Sequence, residues 1–116
     1  MISLLDINNI HFTGIKGVGM AALACIAKDY GMKVSGSDLK QTFVTDKILK
    51  SKEIPWFEVF DANNITKNKP DLLIYTAAHQ GKNNIEVMTA NKLGIPVLSF
   101  GEALALFQAT KIAISV

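Results

Sequence analysis

The stretch that decides the fold runs from residue 10 to residue 20 and reads Ile10-His11-Phe12-Thr13-Gly14-Ile15-Lys16-Gly17-Val18-Gly19-Met20. Its first part is typical of a short apolar strand, and its glycines introduce an apolar helix. A strand, a glycine turn and a helix in this order point unpaired backbone N–H groups and the positive end of the helix dipole at one spot. Such a spot favours phosphate. In this interpretation Gly14 allows a tight turn, Gly17 lets a ligand approach the backbone, and Gly19 lets the helix pack closely against the strand.

Outward from this stretch, strand-like and helix-like segments alternate. Strands are predicted at residues 9–13, 33–37, 56–60, 71–76 and 95–98, with a last strand at 112–116. Helices are predicted at 17–30, 45–52, 84–93 and 101–108, and a polar loop with one helical turn at 61–69. Strands joined by helical crossovers pair in parallel, with helices on both faces. The pattern therefore predicts an α/β fold, a Rossmann-like doubly wound parallel sheet of about five strands, in a single domain at 1–116.

Composition narrows the functional classes. The 116 residues are 49% hydrophobic and 19% charged, with a formal net charge of +2. All twelve basic residues are scattered lysines, so neither guanidinium forks nor a basic stripe favours a nucleic-acid partner. The single Cys25 excludes an internal disulfide and a four-thiolate zinc site. No stretch reaches the roughly 20 apolar residues of a membrane span, and no secretory signal is recognisable, so a cytoplasmic protein is expected.

Two residues near the glycine turn bear on the kind of ligand. Asp38 ends the second predicted strand nineteen residues after Gly19, where dinucleotide-binding folds offer a carboxylate to ribose hydroxyls. Lys16 stands where a Gly-x-Gly-x-x-Gly pattern has its middle glycine, and a side chain there crowds a dinucleotide pyrophosphate. This disfavours a dehydrogenase. Lys16 is then either a point charge for a diphosphate or an ordinary solvated lysine. Asp46 is interpreted as a residue of a solvated helix surface.

The loop after the fourth predicted strand should open at the same edge of the sheet. It contains Thr76, Ala77, Ala78 and His79, whose small or polar side chains let a ligand lie against the backbone. His79 is assigned a binding or loop-ordering role rather than catalysis, because no carboxylate or cysteine stands beside it in the sequence. His11, inside the first strand, is interpreted as a packed or partly exposed residue without a role. No catalytic residue and no metal site can be assembled from the sequence.

The run from residue 10 to residue 20, followed by Val34-Ser35-Gly36-Ser37-Asp38, resembles the amino-terminal domain of the muramyl ligases. Later segments resemble that family in order and spacing, namely Tyr75-Thr76-Ala77-Ala78-His79, Gly94-Ile95-Pro96-Val97 and Gly101-Glu102-Ala103-Leu104. Within the family, the motifs are most similar to those of the ligases that join L-alanine to UDP-N-acetylmuramate. The resemblance covers nearly the whole chain.

The resemblance implies that the work of the enzyme is divided between domains. A full enzyme of this family uses ATP and magnesium to phosphorylate the muramoyl carboxylate, and the amino group of the amino acid then attacks the acyl phosphate. The ATP loop, the magnesium ligands and the L-alanine site would lie in a central domain after residue 116. The chain alone is therefore expected to bind no cofactor and to be catalytically inactive, while holding the UDP part of UDP-N-acetylmuramate.

The resemblance also assigns the residues that would bind this substrate. The amides of Gly14, Ile15, Lys16, Gly17, Val18, Gly19 and Met20 would face the diphosphate. Ser37 and Asp38 would lie near the uridine, and residues 76–79 would form the opposite wall.

Two positions depart from the family pattern. The family commonly has glycine where this chain has Lys16, and its Asn-Pro-Glu is loosened to Asn83-Asn84-Ile85-Glu86, so Asn83 and Glu86 are not carried over. Three other interpretations remain open. They are the related murein-peptide ligase, a Rossmann-type regulatory module that senses NAD or another nucleotide, and a scaffold without a ligand.

Overall fold

The computed structural model describes residues 2–110, which form a five-stranded sheet in the order β3-β2-β1-β4-β5. Every pairing between neighbouring strands is parallel. The strands are β1 (Asn9–Thr13), β2 (Lys33–Ser37), β3 (Trp56–Phe57), β4 (Leu72–Tyr75) and β5 (Val97–Ser99). The Rossmann-like parallel sheet expected from the sequence is thus confirmed. The last strand expected at 112–116 lies outside the described residues.

Within residues 2–110, helices cover both faces of the sheet. They are α1 (Val18–Asp29), α2 (Asp46–Ser51), α3 (Asn63–Thr66), α4 (Ile85–Lys92) and α5 (Phe100–Ala109), with short 3-10 turns at Leu4–Asp6 and Gly81–Asn83. The larger hydrophobic core joins one sheet face to α1, α2 and α5. A smaller core joins the other face to α3 and α4. Among these helices, none is long and apolar enough to cross a membrane.

The side chains of β1 alternate between two chemically different faces. Ile10 and Phe12 are fully buried in the larger core. His11 and Thr13 point to the opposite face, where they meet a side chain of α4, and they are buried as well. The two serines of β2 stand beside them in parallel register. The centre of the sheet therefore presents polar groups to the layer formed by α3 and α4.

β3 is shorter than the predicted strand at 56–60. Only Trp56 and Phe57 find partners on β2, opposite Gly36 and Ser37. Beyond them the chain turns toward α3, and the Val59 carbonyl accepts a hydrogen bond from a side-chain amide of that helix instead of continuing the ladder.

α5 begins earlier than predicted because Ser99 forms a capping box. The Ser99 hydroxyl accepts a hydrogen bond from the Glu102 N–H, and the Glu102 carboxylate accepts one from the Ser99 N–H. The helix therefore starts at Phe100, directly after β5, and places that aromatic ring beside the start of α1.

Candidate functional site

The candidate site lies at the carboxyl edge of the sheet, where the strand order reverses. β1 has β2 on one side and β4 on the other. The chain leaves β1 into α1 on one face and leaves β4 toward α4 on the opposite face. The loops after β1 and β4 therefore border a crevice, which is where open parallel sheets bind their ligands.

Gly14 is the point at which these two loops touch. Its φ is +90°, in the region that favours glycine. A Cβ built on Gly14 would lie 2.4 Å from Cγ2 of Thr76 and 3.6 Å from Cδ2 of His79. The tight turn expected at Gly14 is confirmed, and position 14 also has no room for a side chain.

Four amides of the turn already donate hydrogen bonds inside the chain. Those of Gly14 and Ile15 donate to the carbonyl that ends β2, at 2.8 and 3.1 Å. The Lys16 N–H donates to the Asp38 carboxylate at 2.8 Å, and the Gly17 N–H donates to the carbonyl at position 14 at 3.3 Å. The expectation that every amide from 14 to 20 faces a diphosphate is therefore corrected at these four positions, because the Ser37 carbonyl, the Asp38 carboxylate and the Gly14 carbonyl already accept them.

Three amides are left for a ligand, those of Val18, Gly19 and Met20. They open α1, whose first backbone bond runs from the Ala21 N–H to the Gly17 carbonyl at 2.8 Å. Within the described part of the chain, none of the three donates a hydrogen bond. Gly17, Val18 and Gly19 are exposed. Because free N–H groups and the helix dipole coincide here, the capacity for an anion is concentrated at the first turn of α1.

Gly19 is required by α5 rather than by the strand. A Cβ at position 19 would lie 2.8 Å from Cζ of Phe100 and 3.1 Å from its Cε1. The close packing expected at Gly19 thus exists, but its partner is an aromatic ring of a second helix. Gly17 differs, since a Cβ there would have its nearest neighbour at 3.7 Å, an ordinary contact.

The Lys16 side chain points into the connection between β2 and α2 and is only 2% exposed. Its Nζ donates to the Gln41 carbonyl at 2.6 Å and lies 3.4 Å from the Asp46 carboxylate. The ammonium also stands 5.4 Å from the ring centre of Phe43 and 5.2 Å from that of Trp56. Of the two interpretations of Lys16 that the sequence left open, the solvated lysine is therefore wrong, and so is the interpretation of Asp46 as merely a solvated helix residue.

Ser37 and Asp38, expected near a uridine, both make hydrogen bonds within the protein. The Ser37 side chain is fully buried, and its hydroxyl donates to the Glu86 carboxylate. Asp38 is 2% exposed, with Oδ2 accepting the Lys16 N–H and Oδ1 accepting the Leu39 N–H at 2.7 Å. Asp38 therefore differs from the free carboxylate for ribose hydroxyls that the dinucleotide pattern predicts, because it is nearly buried and bonded to the glycine turn.

The loop after β4 has an unusual backbone. Residues 79–81 all have positive φ, at 56°, 72° and 52°. The Asn84 side chain holds this bend by donating to the His79 carbonyl at 3.1 Å. The His79 ring lies 5.0 Å from that of Phe60, and its Nε2 is 3.5 Å from Oδ1 of Asp38. These are the contacts of a loop-ordering residue, and the ring remains about a quarter exposed, at 26%.

The small residues before His79 form the rest of this wall. Thr76 is half-buried against the glycine turn, and its N–H lies 3.4 Å from the Thr13 carbonyl. Ala77 and Ala78 are exposed. The structure therefore brings the loop 76–79 next to the turn at 14–17, as the parallel topology predicted.

Sequence reasoning missed Glu86, the centre of a buried polar network. Glu86 projects from α4 and is fully buried. Both of its carboxylate oxygens are occupied by donors from other elements of the fold. Oε1 lies within hydrogen-bond distance of His11 Nε2 (3.0 Å), Thr13 Oγ1 (2.7 Å) and Ser37 Oγ, and Oε2 accepts from Asn64 Nδ2 (2.7 Å) and the Asp61 N–H (3.2 Å).

Two opposing effects act on the pKa of Glu86. Burial raises it, because a carboxylate deprived of water is harder to ionise. Hydrogen bonds from His11, Ser37 and Asn64, together with the charge of His11, outweigh burial and leave the pKa below its ordinary value. Glu86 is therefore a buried carboxylate that stays ionised and ties α4 to β1, β2 and the start of α3.

His11 is packed in the interior, but the expectation that it has no role is wrong, because it belongs to the same polar network as Glu86. It is fully buried, with Nδ1 3.1 Å from Ser35 Oγ and Nε2 near both Ser37 and Glu86. The sequence does contain a pattern that could have predicted this polar network. His11 and Thr13 alternate on β1 just as the two serines alternate on β2, so paired strands put all four side chains on one face. A covered parallel sheet with such a face needs a buried polar partner.

A protein-family model described as "Mur ligase family, catalytic domain" matches residues 9–111. The chain belongs to the Mur ligase family. The match begins at the first residue of β1 and includes every later element of this Mur ligase fold, among them the turn at 14–17 and α4.

Individual Mur ligases resemble the chain over most of its length. The UDP-N-acetylmuramate–L-alanine ligase of Treponema pallidum is 42% identical over 95 residues, which cover 82% of this chain and 20% of that protein. The solved UDP-N-acetylmuramate–alanine ligase of Thermotoga maritima has a TM-score of 0.74 and 32% identity, covering 89% of this chain and 22% of that one. The solved UDP-N-acetylmuramate:L-alanyl-gamma-D-glutamyl-meso-diaminopimelate ligase of Neisseria meningitides has a TM-score of 0.73 and 32% identity, covering 85% and 30%. The chain spans about a fifth of the length of the curated relatives it matches.

In this Mur ligase chain, the departure from the family's Asn-Pro-Glu is a single residue. Asn84 caps α4, and its Oδ1 accepts the Glu86 N–H at 2.9 Å. Ile85 takes the first helical position, where proline also fits. The backbone at 84–86 would therefore also accept an Asn-Pro-Glu sequence, with its glutamate at position 86.

Proposed function

We propose that this chain is the nucleotide-binding domain of an ATP-dependent ligase that joins L-alanine to UDP-N-acetylmuramate, and that it holds the UDP part of that substrate. The amides of Val18, Gly19 and Met20 would receive the diphosphate, and residues 76–79 would form the opposite wall. The names of the Treponema pallidum and Thermotoga maritima relatives support the choice of substrate.

The observation that carries the proposal is the set of three adjacent free amides at the crevice. They open a 12-residue helix, so their partial positive charges add to the dipole of α1. Gly17 and Gly19 are exposed and carry no side chain, which favours close approach of phosphate oxygens to the main chain here. With Lys16 engaged elsewhere, recognition in this proposal rests on the main chain of α1.

The remaining steps of the reaction are proposed for sequence outside this chain. Residues 1–116 contain no Gly-x-x-x-x-Gly-Lys-Thr or Gly-x-x-x-x-Gly-Lys-Ser loop. ATP, magnesium and L-alanine would accordingly be bound by other parts of the ligase. The isolated chain is proposed to bind substrate without turnover, and the ligase is proposed to work in the cytoplasm, where ATP is available.

The second candidate is the murein-peptide ligase, which is the kind of ligase that the Neisseria meningitides structure represents. That structure matches this chain as well as the Thermotoga maritima structure does. The names of both ligases begin with UDP-N-acetylmuramate and differ in what is joined to it. The ligand proposed for this domain is the same in either case.

The NAD-sensing alternative is disfavoured by Asp38. Recognition of a nicotinamide dinucleotide relies on a carboxylate at this position to accept ribose hydroxyls. The Asp38 oxygens already accept the Lys16 and Leu39 amides, and the residue is almost fully buried. Ribose recognition of that kind would require this nearly buried carboxylate to become accessible.

Titration calorimetry with UDP, UDP-N-acetylmuramate and NAD tests the proposal, using the Val18→Pro variant. Proline at the first helical position removes one free N–H with little effect on the helix, and the extended conformation of Gly17 (φ −60°, ψ 146°) is compatible with a following proline. Ile85→Pro is the matched control, since Ile85 is also exposed and also opens a helix after an extended residue.

We expect UDP and UDP-N-acetylmuramate to bind and NAD to give no heat. Val18→Pro should weaken UDP at least about tenfold, because a hydrogen bond to a charged group contributes roughly 1.5–3 kcal/mol. Ile85→Pro should leave the affinity unchanged, and both variants should keep the unfolding temperature of the parent. A folded chain that gives no heat with millimolar UDP-N-acetylmuramate, or equal losses in the two proline variants, would overturn the proposal.

A further inference from the structure

Lys16 presents three different groups to the connection between β2 and α2, residues 38–45. Its N–H donates to the Asp38 carboxylate at the start of this segment. Its carbonyl accepts the Thr45 hydroxyl at 2.6 Å at the end of the segment. Its ammonium donates to the Gln41 carbonyl in the middle. A single residue of the glycine turn is thus bonded along the whole length of the neighbouring segment.

The surroundings of the ammonium show that this arrangement is specific. A buried charge is unfavourable unless it is paired and hydrogen-bonded. Here the Asp46 carboxylate, a carbonyl and the faces of Phe43 and Trp56 replace the lost water. Asp46 also accepts the Phe43 N–H at 3.2 Å, so the residue that pairs with Lys16 folds the segment as well. Moving segment 38–45 would take away two of these partners, the Gln41 carbonyl and the Phe43 ring.

Thr45 supports the same conclusion from the other side. It occupies the N-cap position of α2, yet its side chain makes no capping bond. The hydroxyl is buried and donates to the Lys16 carbonyl instead. A threonine at a helix start usually caps the helix by accepting a backbone N–H. Thr45 instead bonds to the glycine turn.

We propose that Lys16 is a positioning residue for nucleotide binding, which holds segment 38–45 ready as a further wall of the crevice. The inference rests on the proposed function. Segment 38–45 leaves β2 at the same carboxyl edge of the sheet as the loops at 14–17 and 76–79, and Asp38 at its start lies beside His79. A glycine at position 16 could supply the backbone bonds but not the ammonium, so this chain has a connection that the commoner family residue lacks.

The test compares Lys16→Met with Lys47→Met in the 116-residue chain. Methionine keeps an apolar stem against the two rings and removes the charge, while Lys47 is an exposed lysine on α2 and serves as the control. The first readout is amide hydrogen exchange at Phe43 and Asp46, whose N–H groups each donate to the other residue and so join the segment to the start of α2. The second is the affinity for UDP at two salt concentrations, and thermal unfolding checks that each variant folds.

For Lys16→Met we expect exchange at Phe43 and Asp46 at least about tenfold faster, since the segment opens more often. If about one fifth of the molecules then hold the segment in place, UDP should bind about fivefold more weakly. The salt dependence of UDP binding should match the parent, because a positioning charge does not touch the phosphates. Lys47→Met should change none of these values.

Several outcomes would overturn the inference. Faster exchange with unchanged UDP affinity would mean that segment 38–45 is no part of the site. Weaker affinity with unchanged exchange and a smaller salt dependence would mean that Lys16 contacts phosphate directly. If the parent chain binds no UDP, the proposed function fails, and the nucleotide part of this inference fails with it, whatever the exchange rates show. Should Lys16→Met not fold, Thr45→Val removes one of the same bonds without removing a cap, and the same expectations apply to it.

Discussion

Glu86 and His11 lie 75 residues apart in sequence, and Oε1 of Glu86 is 3.0 Å from Nε2 of His11 at a position fully buried from solvent. The same carboxylate also receives donors from β1, β2 and the start of α3. This contact joins the polar face of the sheet to α4. Its contribution to the free energy of unfolding can be measured directly.

Replacing Glu86 by alanine should reduce the free energy of unfolding by about 3–5 kcal/mol, because it leaves several buried donors unpaired. Glu58→Ala is the matched control, since Glu58 is exposed and should cost within about 0.5 kcal/mol. Urea denaturation of the three proteins measures the difference. A loss below about 1 kcal/mol for Glu86→Ala would mean that water or rearrangement satisfies the network.

The lowered pKa of Glu86 predicts a dependence of stability on pH. A carboxyl whose pKa is lower in the folded state contributes stability that is complete above its unfolded pKa of about 4.3. That contribution is lost as the pH falls through the folded value. We therefore expect the free energy of unfolding to fall with acid below about pH 4.5. The fall should be shallower in Glu86→Gln, and parallel curves for the two proteins would show that other groups cause it.

Gly14→Ala should destabilise the chain by about 2–5 kcal/mol, combining strain at positive φ with a collision against Thr76. Gly31→Ala separates the two causes. Gly31 also has a positive φ, 102°, but a Cβ there meets nothing within 4 Å, so only about 1–2 kcal/mol should be lost.

Adding Thr76→Ser to Gly14→Ala removes the Cγ2 atom that the new methyl group would strike. The double variant should recover part of the stability, in a thermodynamic cycle followed by thermal unfolding. Strict additivity of the two changes would show that the contact between the loops after β1 and β4 is not what makes position 14 costly.

Gly19→Ala should destabilise the chain by about 1–3 kcal/mol, because its methyl group overlaps the Phe100 ring. UDP affinity should fall as well, since relief of the overlap moves the first turn of α1. Gly101→Ala, in the first turn of α5 with open space around it, should leave both quantities near the parent values. Phe100→Leu combined with Gly19→Ala should restore stability, and failure to do so would point to a different obstruction.

Much of the fold was predictable because its signals are local. β1 and β2 have the bounds that the sequence predicts, since Gly14 follows the first strand directly and Asp38 the second, and such stop signals are local. β3 was overestimated because its length depends on how many partners β2 offers. α5 was placed one residue late because Ser99 and Glu102 cap it at Phe100.

The candidate site was predictable in position but not in detail. Alternating strands and helices place the loops after β1 and β4 at one edge, and Gly14 does meet Thr76 there. Which amides remain free depends on acceptors at the end of β2 and just after it, at Ser37 and Asp38, that no spacing rule reveals. The side chain of Lys16 was misjudged for the same reason, because its partners lie 25 and 30 residues further along the chain.

By itself, the sequence determined the order of strands and helices, the glycine turn that starts α1, and the likeness to the Mur ligases. These follow from spacing between near neighbours, which the chain carries in one dimension. Only the tertiary structure decided that Glu86 bonds to the polar face of the sheet and that Asp38 accepts an amide of the glycine turn. It also decided that, among the amides of residues 14–20, those of residues 18–20 are the ones left free. Those facts depend on which polar groups meet once the strands pair. A buried polar group forms its hydrogen bond with a partner that is near in space, however distant that partner is along the chain.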